Sequence, residues 1–565
     1  MSAVVEAENA GVLITERGRV RFTHPLLASA VYGSASDARR MQLHGRLAGV
    51  VTDPEQRARH LAQSVTEPEE ETAVEIEQAA RQAMLRGAYD AAAELFEASC
   101  RLTPADQREK LVQRTLGQAS AVLKTGDVAN ARLLVEGVVI DALPAELQAE
   151  RFELLAEVEW DDGATKLATE HLERALLAAA DDGDRSARIL ARLVLMGVPA
   201  GPARALEHAE TAMRLLSEER EPELLASILI DRFLAGVFLG RGAQPELLRR
   251  GLELEARAGP AACPHPVPII WFQCVDDVEA TRERHAREDG WAHDHGDERM
   301  RASRIGDLLL VELQGGRWEL AERHAEWSCD TLEQLDVSGR FAFVFAWRSL
   351  VDAYRGRFER ARTTLRPLVD EAARTEKAWR GAILLSVLGF VEFAAGDHEA
   401  ADSAVTRMRR LLNTLGIEDA LLERTQPFHV ESLVTLGELE RAREVLARLE
   451  TRGRTIPRLW IDVTLPRARA LVTAAEGDVP GALAALDELD VEAASLLPFE
   501  LASAWLLKGR LYRRAHGRPT RKRRDKNIGK PPMCRGRRRR SVEPWNVGRK
   551  SRHNTRTSSS TTGPA

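Results

Sequence analysis

A short turn, glycine, variable, bulky, variable, variable, alanine, recurs five times in the second half of this 565-residue chain. The copies are Gly316-Arg-Trp-Glu-Leu-Ala321, Gly356-Arg-Phe-Glu-Arg-Ala361, Gly396-Asp-His-Glu-Ala-Ala401, Gly437-Glu-Leu-Glu-Arg-Ala442 and Gly477-Asp-Val-Pro-Gly-Ala482, with glycines 40, 40, 41 and 40 residues apart. Weaker copies at Gly87, Gly126 and Gly163 extend the series upstream, and Gly201 and Gly242 are further members. Each position has a physical reason. Glycine at a helix end takes the left-handed conformation without steric cost. The bulky residue plugs the corner, and the small alanine lets the second helix approach the first. Between the turns the apolar spacing is helical: Ala401, Val405, Met408, Leu412 and Leu415, then Leu439, Ala442, Leu446 and Leu449. One-sided helices repeating every 40 residues bury their apolar faces only by stacking on neighbours. The expected fold is therefore all-α, an elongated α-solenoid of helical hairpins over residues 66–517.

Composition agrees. The chain is 44% apolar and 29% charged but only 5% aromatic, which suits long helices with charged outer faces. The array resembles tetratricopeptide repeats, with a period longer than the usual ~34 residues of that family. No run approaches the ~18 apolar residues of a membrane span, because the richest stretch, Ala226 to Gly240, carries Asp231 and Arg232. The N-terminus has neither a basic nor an apolar signal region. The five cysteines (Cys100, Cys263, Cys274, Cys329, Cys534) contain no CxxC pair, which argues against a disulfide framework or a zinc module. A reduced, cytoplasmic location is expected.

The two ends of the sequence differ from the repeats. Val12-Leu-Ile-Thr and Val20-Arg-Phe-Thr are β-prone runs joined by Glu16-Arg17-Gly18-Arg19, a predicted hairpin. Helices are predicted over 38–51 and 55–65, with Thr52 or Asp53 as cap and Pro54 opening the second. A hairpin beside helices points to a partial winged-helix remnant at 1–65. At the other end, Arg518–Ala565 holds 16 Lys and Arg against 2 acidic residues. A net charge of −6 thus hides an acidic body and a strongly basic tail. Gly517 falls where the next repeat turn is due, yet Arg518-Pro-Thr-Arg-Lys-Arg-Arg supplies no apolar face for a second helix. Residues 518–565 are expected to be a disordered basic tail, and the break inside a hairpin points to a shifted reading frame as its origin.

No catalytic constellation emerges. Gly529-Lys530 lacks the preceding glycine and the following Ser or Thr of a phosphate loop, and Gly240-Arg-Gly242 leads into Pro245 instead of a dinucleotide fingerprint. His285, His293, His295 and His324, near Asp289, Asp294 and Asp297, match no familiar zinc spacing and read as solvated turn residues. Gly-x-Ser-x-Gly is absent. No metal, cofactor or catalytic residue is assigned, and the chain is not expected to be an enzyme. Eleven of the 28 aromatic residues crowd between Trp271 and Phe358. They read either as core packing or as a concave groove for a small molecule or peptide, with Trp327, Phe345 and Trp347 as candidate groove residues. Arg521-Lys-Arg-Arg524 and Arg537-Arg-Arg-Arg540 imply no more than non-specific nucleic-acid affinity through the tail.

Phe22-Thr-His-Pro-Leu-Leu-Ala-Ser-Ala-Val-Tyr32, then Arg39-Arg-Met-Gln-Leu-His44 and Arg57-Ala-Arg-His-Leu-Ala62, resembles the segment ending the ATPase region of large LuxR-type, MalT-like transcriptional regulators. In that family a tetratricopeptide-like sensor array follows the winged-helix end of the ATPase, and a helix-turn-helix closes the chain. The resemblance implies the signal-sensing and self-association part of such a regulator, responding to a small-molecule inducer. The Walker motifs and the helix-turn-helix of the family have no counterpart here. A stand-alone adaptor binding a protein partner is the alternative.

Overall fold

The computed structural model describes residues 2–16, 19–139, 143–259, 262–335, 339–421 and 423–515. The expectations for Gly517 and the basic tail lie outside the described residues. Among those residues, 28 α-helices follow one another, accompanied by a single two-stranded sheet near the N-terminus. The molecule is an α-solenoid of helical hairpins, as the repeat predicts.

The turn chemistry works as its residue types require. Gly316, Gly356, Gly396, Gly437 and Gly477 have φ between 74° and 99°. At Gly396 the amide of Asp397 donates to the carbonyl of Glu392 at 2.9 Å and the amide of Gly396 to that of Phe393 at 2.9 Å, closing the Ala378–Ala394 helix. Asp397 then caps the next helix, His398–Thr414, by accepting from the Ala400 amide at 3.0 Å. The alanines three residues into the second helices, Ala321, Ala361, Ala401, Ala442 and Ala482, are fully buried, so each marks a close helix approach. Gly87, Gly126 and Gly163 are left-handed too. Gly201 is a correction: its φ of 175° is extended backbone, and Pro202 opens the following helix there. Gly240 and Gly242, both left-handed, share the turn between Pro222–Phe238 and Pro245–Ala258.

One hairpin escaped the glycine pattern. Asp276, at φ 61°, turns between Val267–Cys274 and Val278–Asp294. Its sequence, Asp276-Asp277-Val278, copies Gly126-Asp127-Val128 and Gly477-Asp478-Val479 with aspartate in the glycine place. A non-glycine left-handed residue is unfavourable, and here distant partners compensate. Asp276 accepts from the Trp460 amide and from Arg424, both at 2.8 Å.

Those bonds reveal what the repeat alone does not. The Trp460–Asp276 bond spans 184 residues and the Lys377–Asp162 ion pair 215, both at 2.8 Å. A Cβ on Gly339 would lie 2.1 Å from the carbonyl oxygen of Asp161, and one on Gly316 would lie 2.7 Å from Pro498. Repeats four to five hairpins apart therefore touch. The elongated array expected from sequence instead winds so tightly that successive superhelical turns close on each other. The first helices of the hairpins line the space enclosed.

Near the N-terminus, Leu13–Glu16 pairs antiparallel with Arg19–Phe22, in the register Leu13 with Phe22 and Glu16 with Arg19. Helices Pro25–Ser34, Asp37–Ala48 and Pro54–Ser64 follow, and Asp53 caps the last by accepting from the Gln56 amide at 2.8 Å. Helix Pro25–Ser34, despite its Leu-Leu-Ala-Ser-Ala-Val-Tyr sequence, has no buried residue.

Candidate functional site

The space inside the coil holds two chambers of about 270 Å³ each, both lined by Trp347 and Ser386. Trp347 sits in the middle of helix Ala342–Tyr354 and is buried.

The first chamber lies among the first helices of the last repeats. Tyr354 packs on Phe390 and Phe499, at ring distances of 5.0 and 4.7 Å, and burial pushes its phenol upward. Arg467 crosses the chamber wall between Glu431 at 2.7 Å and Glu500 at 3.2 Å. Aromatic faces and paired charges make this chamber amphipathic.

The second chamber lies between superhelical turns. Trp160 and Leu195 come from early hairpins, Asp231 and Phe238 from a later one, and Phe343 and Trp379 from repeats on the following turn. Phe238 and Trp379 meet at a tilt of 38°, with ring centroids 5.4 Å apart. Against this apolar body stand five buried polar atoms without a hydrogen-bond partner: Asp231 Oδ1, Ser303 Oγ, Trp347 Nε1, Arg304 Nε and Arg380 Nε. Buried polar groups are normally satisfied, so five unpartnered atoms among the residues lining one cavity need a cause.

A chain of charges leads into that wall. Glu255 takes Arg284 at 2.6 Å, Arg284 reaches Glu288 at 2.8 Å, and Arg304, 3.5 Å from Glu288, holds Asp307 at 3.0 Å. His265 joins it to Asp231, with Nε2 at 3.2 Å from Oδ2, and its own amide donates to Glu255 at 3.1 Å. Positive charge thins toward the chamber. Burial alone would raise Glu255, but hydrogen bonds and attraction from Arg284 hold it below the ordinary range. Glu288 is raised by burial despite Arg304 and Arg284. Asp307 is pushed up to about 6 by burial, against the pull of Arg304 and helped by the charge of Glu288.

Of the residues expected to form a groove, Trp347 lines both chambers. Phe345 and Trp327 line neither. Phe345 packs beside buried Phe341 and Val344, with the Arg348 guanidinium 5.6 Å from its ring. Trp327, 37% exposed, lies under Arg301 on helix Trp318–Gln334. Adjacent aromatics on a helix face different ways, which is why a crowded segment splits between cavity and core. Of the histidine group, His295 stacks on Trp291 at 4.0 Å, and His285 and His324 are half-buried with pKa values lowered by burial. Sequence reasoning missed Asp231 and Asp307 as site residues. Their signal was a carboxylate inside an apolar run, Leu229-Ile-Asp-Arg-Phe-Leu234 and Gly306-Asp-Leu-Leu-Leu-Val311. A buried charge in such a run needs a partner.

No family model and no curated protein matches the sequence. Among solved structures, a Rap protein complexed with competence and sporulation factor aligns over 68% of this chain and 98% of its own, at 12% identity and a TM-score of 0.41. The hetero-tetramer Cut9–Hcn1 of the APC/C aligns over 86% and 99%, at 13% identity and 0.30. A signal transduction ATPase with numerous domains and a tetratricopeptide repeat sensor, from Pyrococcus horikoshii, aligns over 73% of this chain and 58% of its own, at 12% and 0.32. Likenesses this distant carry no argument, and the α-solenoid stands on the hairpins described above. No described helix is long and apolar enough to cross a membrane.

Proposed function

We propose that this chain is the ligand-sensing helical-repeat part of a LuxR-type, MalT-like transcriptional regulator, and that the sensed molecule is small and sits in the chamber between superhelical turns. The observation that carries the sensing role is the position of that chamber. Its walls belong to repeats on two successive turns of the coil, so a bound molecule contacts both at once. A ligand shifts a conformational equilibrium only through contacts that differ between its states. A site between two turns has that property, because a change in winding opens or closes it.

The regulator role rests on the resemblance at Phe22 to Tyr32, and a second feature supports it. Leu26 is 70% exposed, Val31 and Tyr32 52% each, on a helix with no buried residue of its own. An apolar helix laid bare is a surface built to be covered, as the end of a winged helix would be by the module it completes.

Native mass spectrometry of the chain purified from its source organism tests the reading. A non-covalent small-molecule mass, released on unfolding and lost when the chamber is filled by Leu234→Trp, is the expected result. A stoichiometric protein partner with no small molecule would overturn it in favour of the adaptor.

A further inference from the structure

The second chamber also carries information about the chemistry of its occupant. Resting on the sensing role proposed above, we infer that it takes an amphipathic cation: an apolar, planar body lying against Phe238 and Trp379, and an ammonium or amidinium head held by Asp231 and Ser303.

The charge balance makes the case. The wall network contains four buried carboxylates, Asp231, Glu255, Glu288 and Asp307, and two guanidiniums, buried Arg284 and partly exposed Arg304. Arg287 adds to Glu255 only from the partly exposed edge, at 3.1 Å. The other arginine lining the chamber, Arg380, is committed to Glu371 at 2.7 Å, and Glu423 on the far side is held by Arg452 at 3.0 Å. Each lining arginine thus has a carboxylate, whereas Asp231 has no Lys or Arg. Its partners are His265 at 3.2 Å and Ser227 at 3.4 Å, both on Oδ2, and Oδ1 has none. Asp231 and Ser303 are each 1% exposed, so bulk water does not substitute for the absent donor. A carboxyl group buried this far is normally paired. A cationic donor entering the chamber supplies both the charge and the hydrogen bonds that the wall lacks. An anionic head finds the unpartnered Nε atoms of Arg304 and Arg380, but on guanidiniums that each already hold a carboxylate, and it leaves Asp231 without a cation.

The body is set by the rest of the lining. Leu234, Ile270, Ile383 and the rings of Phe238, Phe343 and Trp379 present an apolar slot. Trp347, whose indole N–H lacks an acceptor, adds one place for a carbonyl or ether oxygen on the ligand.

Three molecules with one body and different heads test the inference: tryptamine, 3-ethylindole and indole-3-propionate, titrated into the full chain by isothermal calorimetry at pH 7.5. Tryptamine is expected to bind at least about 10-fold more tightly than 3-ethylindole, as charge-assisted hydrogen bonds in a dry site produce, and indole-3-propionate most weakly. Asp231→Asn should erase the preference while 3-ethylindole affinity stays unchanged, which also shows that the chamber is intact. If that variant does not fold, Ser303→Ala replaces it, with about a 3-fold loss for tryptamine alone. Equal binding of tryptamine and 3-ethylindole, or preference for the acid, overturns the cationic head and leaves the sensing role standing. Binding of none of the three overturns the inference as well, and the mass-spectrometric result then decides the sensing role separately.

Discussion

Two buried charge clusters join neighbouring hairpins of this coil, and they are built differently. Around Asp419 and Glu423 each carboxylate has an arginine. Arg452 holds Asp419 at 2.8 Å and Glu423 at 3.0 Å, Arg458 holds Asp419 from the other side, and Gln426 and Thr425 complete the shell. Burial alone would raise both carboxylates, yet the arginines hold both below the ordinary range. Around Glu288 and Asp307 the same burial wins, and the carboxylates are raised. The first cluster is finished by the chain itself and is a fastening. The second is short of cations on the side where a cavity opens, and is a site. Buried charge alone does not separate the two roles; the count of partners does.

The comparison is most severely tested by breaking the closed cluster. Arg452→Ala leaves two buried carboxylates short of a partner and should cost about 3–5 kcal/mol, the range for a broken buried pair. Urea denaturation measures it, and a loss below about 1 kcal/mol would mean that the cluster fastens nothing.

The open cluster should respond with the opposite sign and depend on pH. Asp307 titrates near 6 in the folded chain against an ordinary 3.8. Between those values the folded chain keeps a proton that the unfolded chain has lost, so stability falls as pH rises through this window and levels off above it. Asp307→Asn removes that fall. It should gain about 1–3 kcal/mol over the parent at pH 7.5 and nothing near pH 4. Thermal denaturation at the two pH values checks it; a variant less stable at pH 7.5 would place Asp307 with the fastenings.

The smallest effect is expected at Ser303. Its hydroxyl bonds to nothing in the free chain, so Ser303→Ala should change stability by less than about 1 kcal/mol. A larger loss, read from the same urea curves, would reveal a partner and weaken the contrast.

Much of the fold was legible because the repeat writes its turn chemistry into every copy. The glycines at 316, 356, 396, 437 and 477 and the buried alanines after them follow from local backbone and packing rules. The hairpin at Asp276 was hidden because its left-handed turn is stabilised by Arg424 and Trp460, nearly two hundred residues along. The closed winding was hidden for the same reason: small twists between neighbouring hairpins add up over four or five repeats, and no single repeat records their sum. The site inherits that difficulty. Trp347 could be named from aromatic crowding, but Asp231, Ser303 and Trp379 come to line one chamber only once the coil has turned.

The most direct measurement is a crystal structure of the chain at pH 7.5, inspected at the wall formed by Asp231 and Ser303. The account predicts an open chamber with an ordered water or small molecule within hydrogen-bond range, about 2.7–3.2 Å, of Asp231 Oδ1 and Ser303 Oγ. A chamber closed by Phe343 and Trp379, with both oxygens bonded to protein groups, would contradict it.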